Sequence, residues 1–373
     1  MKSITGVIGL LLLLALCRVS HAATYHVGAQ RDIKTLSAIS TRLLPGDVVD
    51  IDPGVYHEVL KLLANGTADA PIIIRGIGTA RPIFDAQDMN VSGRGPIPRA
   101  IFQIEGEYLV IEHLEFKNAR NGENAAGIRL LHSTNATIRD CAISNCDMGI
   151  FGDDLQTATI ENCDVGFNST KIHNGYAHNF YMSGNRVVVR GCRIHDCPFG
   201  QNFKSRAHYN ELWYNVISNS NEGEVGIVDG KGDTDRPNSN SLLVGNVIVS
   251  PPNRTGNHWK FVLFGSELGN AHNGTLFLFH NILKAGDARI RFITLADAQS
   301  SLVARDNTFI GKAQVLYLLR PPVKIVANGN QFPTEVPAPP GWTDPADEPL
   351  TYIDGDGVTR TLVVDEKNIP AVP

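Results

Sequence analysis

The sequence predicts an all-β solenoid, a single-stranded parallel β-helix of about 10 rungs with an N-terminal capping helix. Two observations lead to this prediction: a short apolar motif recurs along the chain, and each repeat carries a second run that is typical of a strand. The chain has 373 residues, of which 43% are hydrophobic and 19% charged, so it can bury a large core and is not a disordered polymer.

The repeated motif ends on one column position that is occupied first by Leu, then by three Cys and then by five Asn. The column consists of Leu114, Cys141, Cys163, Cys192, Asn215, Asn246, Asn281, Asn307 and Asn330. Stacked Asn side chains can hydrogen-bond along a solenoid and to the backbone of its turns. We therefore expect the five Asn to stack inward, with the three Cys continuing the column as small hydrophobic residues.

A second strand-like run precedes the column in each repeat. In four repeats its apolar residue lies 12 or 13 positions before the column residue, namely Ile128, Ile150, Phe180 and Phe203. A leucine-rich repeat is the alternative, but the positions where it needs further Leu are polar here, as at Asn273 and Gln299. Two or three short strands per turn favour a parallel β-helix over a leucine-rich horseshoe.

The first 22 residues are typical of a signal peptide. Lys2 precedes an apolar run over 7–16, and small residues lead up to Ala22, where cleavage is expected. The run is too short to span a membrane, and Leu16 stands where a lipoprotein signal needs a small residue. We expect a secreted or periplasmic protein without a membrane anchor, with the β-helix over 23–332 and a Pro-rich tail over 333–373.

These repeats resemble the right-handed parallel β-helix proteins of the pectin-lyase-like superfamily over roughly residues 24–332. The segments 43–56 and 66–76 are similar to the opening of polysaccharide lyases of the chondroitinase-B and alginate-lyase type. In that group an amphipathic helix covers the first rung, and the resemblance places it near 32–42, with Ile33, Leu36 and Ile39 inward. The resemblance implies a polysaccharide lyase that cleaves uronic-acid polymers by β-elimination.

The candidate site lies in the basic stretch 171–210, which holds six Lys or Arg residues and one acid in a chain of net charge −5. A basic groove on an acidic solenoid indicates an anionic polymer, whereas a solvated face with counter-charges on neighbouring rungs is the alternative. Long loops at 164–179, 228–245 and 247–261 are expected to form its walls. Strand alternation is expected to direct Asn202, Lys204 and Arg206 outward together.

β-Elimination needs a base at C5 of the uronate, a cation at its carboxylate and a proton source for the leaving oxygen. We predict Lys204 as the base and Arg206 as the group that neutralises the carboxylate, with His178 as a further catalytic residue. The predicted substrate-binding residues are Tyr181, Asn202, His208 and Lys231.

No cofactor is firmly indicated by the sequence. Lyases of the resembled group often use Ca²⁺, for which Asp229, Asp233 and Glu267 are the candidate ligands. The same fold also occurs in glycoside hydrolases and in uronate C5-epimerases. Asp153 and Asp154 resemble the paired aspartates of those hydrolases. A non-catalytic carbohydrate-binding or surface β-helix protein stays open too. The expected partner is an acidic polysaccharide rather than a nucleic acid, and the expected state is a monomer.

Overall fold

A computed structural model describes residues 22–252, 259–334, 336–345 and 348–372. Over these residues the chain is a parallel β-helix with three sheet faces, and the predicted fold class is confirmed. It has about 12 turns rather than about 10. Residues 1–21 of the predicted signal peptide lie outside the described residues.

The three faces follow one another around each turn. Face 1 contains β1 (Thr24–Val27), β2 (Val48–Ile51), β5 (Ile72–Gly76), β8 (Leu109–Glu112), β11 (Ala136–Arg139), β20 (Ser241–Val244), β23 (Thr275–Phe279), β26 (Ser301–Arg305) and β29 (Lys324–Asn328). Face 2 contains β3 (Val55–Tyr56), β6 (Ile83–Asp85), β9 (Glu115–Lys117), β12 (Ala142–Ser144), β14 (Asp164–Gly166), β16 (Arg193–Cys197), β18 (Val216–Ser220), β21 (Val247–Val249), β24 (Ile282–Lys284) and β27 (Thr308–Ile310). Face 3 contains β4 (Leu60–Leu62), β7 (Ala100–Ile104), β10 (Ala126–Leu131), β19 (Gly223–Val228), β22 (Lys260–Gly265), β25 (Arg291–Leu295) and β28 (Gln314–Leu318). Three long strands run from face 3 into face 1: β13 (Met148–Glu161), β15 (Phe180–Arg190) and β17 (Gln201–Trp213).

In-register pairing places equivalent side chains directly above one another. Phe180 pairs with Phe203, which in turn pairs with Val225, and all three are buried. Buried apolar residues from all three faces form one continuous core along the solenoid axis. This burial of apolar side chains is the main stabilising contribution to the fold.

The asparagine column forms the predicted ladder at the corner between faces 1 and 2. The backbone N and Nδ2 of Asn246 both donate to Asn281 Oδ1 at 3.0 Å, and the same pair of bonds links Asn281 to Asn307. The cysteines continue the column, where the Cys163 backbone N contacts Cys192 Sγ at 3.4 Å. All five described cysteines are free and buried. The predicted inward stacking is confirmed.

The predicted capping helix is wrong in its extent, because only a 3₁₀ turn over Leu36–Ala38 forms. Leu36 and Ile39 are fully buried as expected, and Ile33 packs partly buried against the core and forms a bridge with Val27. The Glu58 carboxylate accepts hydrogen bonds from the Leu36 and Ser37 backbone N–H groups at 3.0 and 2.9 Å. Ser and Thr are weak helix formers, so this short segment does not sustain an α-helix.

The extra rungs lie before the first column residue, where the turns carry neither Asn nor Cys and so leave no signature in the sequence. At the other end the tail adds an antiparallel hairpin of β30 (Thr351–Ile353) and β31 (Thr359–Thr361). The hairpin packs on the outer side of face 1, where Tyr352 and Leu362 contact Leu242 and Phe277. Two further 3₁₀ turns cover Lys171–His173 and Glu366–Asn368.

Candidate functional site

The candidate site lies on the outer side of face 3, in the column of side chains that the pairing register defines. Phe151 pairs with Tyr181, Tyr181 with Lys204, and Lys204 with Gly226 on successive rungs. Loops that follow β19 and β22 rise beside this column. Residues 253–258, within the third predicted wall, lie outside the described residues. We refer to Tyr181, Lys204, Arg206 and Glu267 as the Lys204 cluster.

Glu267 holds both basic residues of the cluster. Its carboxylate lies 3.0 and 2.9 Å from Lys204 Nζ and 2.5 Å from Arg206 Nη2. Lys204 is only 5% exposed, and this burial lowers the pKa of its ammonium group, an effect that the charges of Arg206 and Lys260 reinforce and Glu267 opposes. Lys204 is thereby closer to the neutral form that a base requires than an exposed lysine would be.

The guanidinium group of Arg206 also fixes Tyr181. Arg206 Nε donates to the Tyr181 hydroxyl at 2.9 Å, and Nη1 donates to the Asp229 carbonyl at 2.5 Å. The Tyr181 ring lies parallel to Phe151 and His178, with ring centroids 5.6 and 5.7 Å away. These contacts hold the tyrosine hydroxyl in one place beside a permanent positive charge.

Asp229 anchors the loop that carries Glu267. Its buried carboxylate accepts hydrogen bonds from the backbone N–H groups of Glu267, Leu268 and Asn270, and from Asn270 Nδ2. Burial alone would raise the pKa of Asp229, but these hydrogen bonds outweigh it and the net pKa is lowered. Asp229 therefore stays ionised and determines the position of Glu267.

Asn202 does not face outward, and the prediction of its orientation is wrong. It is fully buried, accepts from Asn179 Nδ2 at 2.8 Å, and donates to Glu224 Oε2 at 2.6 Å. The chain bends there from face 2 into face 3, so the alternation of a flat strand fails and both Asn202 and Phe203 face the interior. With Asn168 these residues form a second buried ladder.

His178 is fully buried beneath the cluster. Its Nδ1 accepts the Gln201 backbone N–H at 2.9 Å, while Nε2 is buried without a partner. Burial, with the charges of Lys204 and Arg206, holds the pKa of His178 well below its usual value, so the ring is neutral with its proton on Nε2. Its ring packs parallel to that of Tyr181, and its predicted catalytic role stays a prediction.

The other two predicted substrate-binding residues lie beside the cluster. His208 is 6% exposed, with Nδ1 3.2 Å from the Asp233 carbonyl and Nε2 3.1 Å from the Gly355 carbonyl of the C-terminal hairpin. Lys231 is exposed in the turn that follows β19. Their role in binding substrate stays a prediction.

The basic stretch does not form one continuous groove, because strand geometry distributes its charges over different faces. Arg186 and Arg190 lie on face 1 and pair with Glu211 and Glu161, while Arg193 lies on face 2 and pairs with Asp164. These acids are supplied by neighbouring rungs, as the alternative interpretation expected. Lys204 and Arg206 remain as the charges brought together on face 3.

Gln201 belongs to this surface and was missed from the sequence. Its amide lies over Gly226, since a Cβ built at that glycine would approach Gln201 Oε1 to 2.3 Å. This oxygen is buried without a hydrogen-bond partner. The only available signal was the position of Gln201, three residues before Lys204 on the same strand.

The carboxylates proposed as Ca²⁺ ligands have other contacts. Asp229 is bound by the loop amides, Glu267 by the basic pair, and Asp233 Oδ2 accepts the Gly184 N–H at 3.2 Å. Within the described ranges, no group of three or more His, Cys, Asp and Glu residues is arranged to hold a metal ion. In the same part of the chain, no helix is long and apolar enough to cross a membrane.

Comparison with known proteins agrees with this architecture. The profile of a family described as "Periplasmic copper-binding protein (NosD)" matches residues 108–262, less than half of the chain. No curated protein sequence gives a significant match.

Several solved structures share the fold at low sequence identity. Pectate lyase Pel9A is 15% identical with a TM-score of 0.57, over 84% of this chain and 80% of that one. An alginate lyase from Paenibacillus sp. str. FPU-7 is 17% identical with a TM-score of 0.58, over 79% and 99% of the two chains. A glycoside hydrolase is 9% identical with a TM-score of 0.61, over 85% and 97%. The chain thus has the pectin-lyase-like parallel β-helix fold.

Proposed function

We propose that this protein is an exported enzyme that cleaves a uronic-acid-containing polysaccharide by β-elimination at the Lys204 cluster. The observation that carries the proposal is the juxtaposition of a buried lysine with a lowered pKa and an arginine that is hydrogen-bonded to a tyrosine hydroxyl. These groups supply the base, the cation and the proton donor that the reaction requires.

In this reaction Lys204 Nζ, in its neutral form, takes the proton from C5 of the uronate. The electron pair of the broken C5–H bond forms the C4–C5 double bond, and the C4–O bond to the leaving sugar breaks. The leaving oxygen takes the proton of the Tyr181 hydroxyl, and the resulting phenolate is stabilised by Arg206 Nε, 2.9 Å away. The substrate carboxylate binds to Arg206 in competition with Glu267, which lowers the cost of forming charge at C5.

The comparisons support this proposal at the level of fold and reaction class. Two of the similar structures are named as lyases of pectate and alginate, both acidic polysaccharides. The predicted signal peptide and the word periplasmic in the matching family's description support export. The copper binding in that description is not carried over, because the match covers less than half of the chain.

A glycoside hydrolase is the second candidate, and one observation favours it. Asp233 lies at the edge of the site with a pKa that burial raises, and the nearby charge of Asp154 raises it further. A carboxyl group with a raised pKa can serve as the general acid of a glycoside hydrolase.

The test is a screen of the purified full chain against alginate, pectate and glycosaminoglycans, with two readouts. Ultraviolet absorbance of an unsaturated uronate would support the lyase, and this product should form only with the cognate polymer. New reducing ends without this absorbance would overturn β-elimination in favour of the hydrolase. Polymer binding without either product would overturn both enzymatic proposals in favour of a carbohydrate-binding protein.

A further inference from the structure

Arg129 is a buried arginine on β10, in the same outer column of face 3 as the Lys204 cluster. It pairs with Phe151 on the next rung. Phe151 in turn pairs with Tyr181, and Tyr181 with Lys204. Three strand spacings, roughly 14 Å, therefore separate Arg129 from Lys204 along the solenoid axis. Arg129 lies outside the basic stretch 171–210 and has no part in the reaction proposed for the cluster.

The guanidinium group of Arg129 has no carboxylate partner. The residue is only 6% exposed, yet within the described part of the chain it forms no ion pair. Nη2 donates to the Asn124 carbonyl at 2.7 Å and Nε to the Arg99 carbonyl at 3.3 Å, while Cζ lies 3.9 Å from the centre of the Phe151 ring. Buried charges are usually paired, because removing an unpaired charge from water is costly. The surroundings of Arg129 thus hold a cation without neutralising it.

One nitrogen of Arg129 is left for a ligand. Nη1 makes no hydrogen bond to a described residue, but unlike Nε2 of His178 it is not enclosed, so solvent reaches it. The two backbone carbonyls and the Phe151 ring fix the plane of the guanidinium group, and with it the direction of this N–H group. A carboxylate is the acceptor that suits such a fixed, charged donor best.

Two neighbouring charges act on Arg129. Burial lowers its pKa to about 10, Arg99 lowers it further, and Asp153 opposes this effect. Arg99 Nη1 lies 3.5 Å from Glu123 Oε2, so its own charge has a partner. Asp153 is exposed, and its Oδ1 accepts the Ser183 hydroxyl at 2.7 Å. Arg129 therefore stays charged at neutral pH, with Asp153 as a carboxylate that weakens its positive potential from outside.

We propose that Arg129 binds the carboxylate of a second uronate unit of the substrate, at a subsite about three sugar units from the Lys204 cluster. The inference rests on the proposed function and adds a length requirement to it. A sugar unit of an extended 1,4-linked chain spans about one strand spacing, so a polymer that lies along the column reaches both sites. The half-buried, uncharged side chains of Phe151 and Tyr181 lie between them. Oligomers of four or more units should therefore bind more tightly than shorter ones.

Binding of uronate oligomers of defined length tests the inference. The probes are galacturonate and mannuronate oligomers of two to six units, and calorimetry measures their affinity in the Lys204→Ala background, where turnover should not consume them. Arg129→Gln should lower the affinity for the preferred hexamer at least about tenfold, and that for the dimer much less, because a dimer cannot reach both sites. Arg190→Gln is the matched control and should change neither, because Arg190 lies on face 1 and pairs with Glu161.

A second variant adds binding instead of removing it. Asp153→Asn, at an exposed position, removes the opposing carboxylate and should raise the affinity for the hexamer severalfold. This gain should disappear when Arg129→Gln is added. Because Asp153→Asn leaves the buried arginine in place, it tests the site even if Arg129→Gln does not fold.

Four results would overturn the inference. They are no binding of any oligomer, unchanged hexamer affinity in a folded Arg129→Gln variant, an equal loss for dimer and hexamer, or unchanged hexamer affinity in Asp153→Asn. The inference and the proposed function can fail separately. Binding that depends on Arg129, without cleavage of any polymer by the unmodified protein, would count against the lyase and support the subsite. Cleavage of a polymer whose oligomers bind equally to Arg129→Gln would support the lyase and overturn the subsite.

Discussion

The asparagine ladder and the Lys204 cluster both arise from in-register stacking, the ladder inside the β-helix at the corner between faces 1 and 2 and the cluster on the outer side of face 3. In the ladder, identical neutral side chains are fully buried, and each amide bonds to the next rung and to a backbone carbonyl, as Asn246 does to Asn281 and to Leu212. In the cluster, unlike side chains from neighbouring rungs and a loop meet, and three of the four are charged: Lys204, Arg206 and Glu267.

This difference shows that the inward positions of the repeat serve stability, whereas the outward positions are available for chemistry. Inside the solenoid successive rungs offer similar surroundings, so the same residue type recurs on neighbouring rungs, as Cys on three and then Asn on five, and the Asn amides are all hydrogen-bonded within the fold. On the outer surface of the β-helix each rung has different neighbours, so a charged side chain is buried only where a loop covers it. Two buried groups without hydrogen-bond partners, His178 Nε2 and Gln201 Oε1, lie next to the cluster.

The largest effect is expected from a substitution in the Lys204 cluster that leaves the asparagine ladder intact. Lys204→Ala should lower turnover of the cognate polymer by at least about 100-fold, the usual contribution of a general base. Lys61→Ala is the matched control, because Lys61 lies in the same outer column on β4, several rungs away. Initial rates of unsaturated product formation measure both. Full activity in a folded Lys204→Ala variant would remove this residue from the mechanism.

Acid should destabilise the fold, because His272 is buried with both ring nitrogens unpartnered, near Asp229 and His208. Burial lowers the pKa of His272 to about 4, against 6.5 in the unfolded chain. Between these pH values only the unfolded chain takes up a proton on this histidine. The free energy of unfolding is therefore unaffected by His272 above pH 6.5 and decreases as the pH falls towards 4, by up to roughly 3 kcal/mol.

His272→Leu should remove the part of the acid dependence that His272 causes, whereas the buried His178 keeps its own contribution in the same direction. The measurement is the free energy of unfolding in denaturant at neutral pH and near pH 4.5, with unmodified protein alongside. An equal loss of stability in both proteins would mean that other groups cause the acid lability.

Removing one member of the ladder should cost less. Asn246→Ala leaves the Asn215 amide and the Leu212 carbonyl without their partner, and should lower the free energy of unfolding by roughly 1–3 kcal/mol. Asn174→Ala, at an exposed loop position, is the control and should change stability little. Chemical denaturation with both variants gives the comparison, and matching stabilities would show that the ladder is not a stabilising device.

The smallest effect tests how Glu267 tunes the cluster. Its carboxylate raises the pKa of Lys204 against the effect of burial, so Glu267→Gln should lower that pKa further. Since the base must be neutral, the rising limb of the pH–rate profile should move to lower pH. The profile of kcat for both proteins measures the shift. A limb that stays in place, in a variant that still folds, would indicate that Lys204 is not the titrating group.

The sequence allowed prediction of the ladder residue by residue, since Asn215 to Asn330 repeat one chemical requirement at every rung. Four of the seven site residues predicted from the sequence lie together in the structure: Lys204, Arg206, Tyr181 and His178. Asn202 was assigned to the wrong side because alternation holds along a strand and not through a corner. The capping helix failed because a resemblance to relatives does not transfer the local propensity of residues 32–42.

Repetition is therefore what the sequence by itself determined: the all-β solenoid, the inward column and the strand positions that carry the basic pair. These follow from local periodicity and from the cost of burying polar groups without partners. Only the tertiary structure decided that Glu267, 63 residues after Lys204, forms an ion pair with it, and that the C-terminal hairpin covers Tyr209. Such contacts depend on how loops of unequal length fold back across rungs, and no periodicity in the sequence encodes that path.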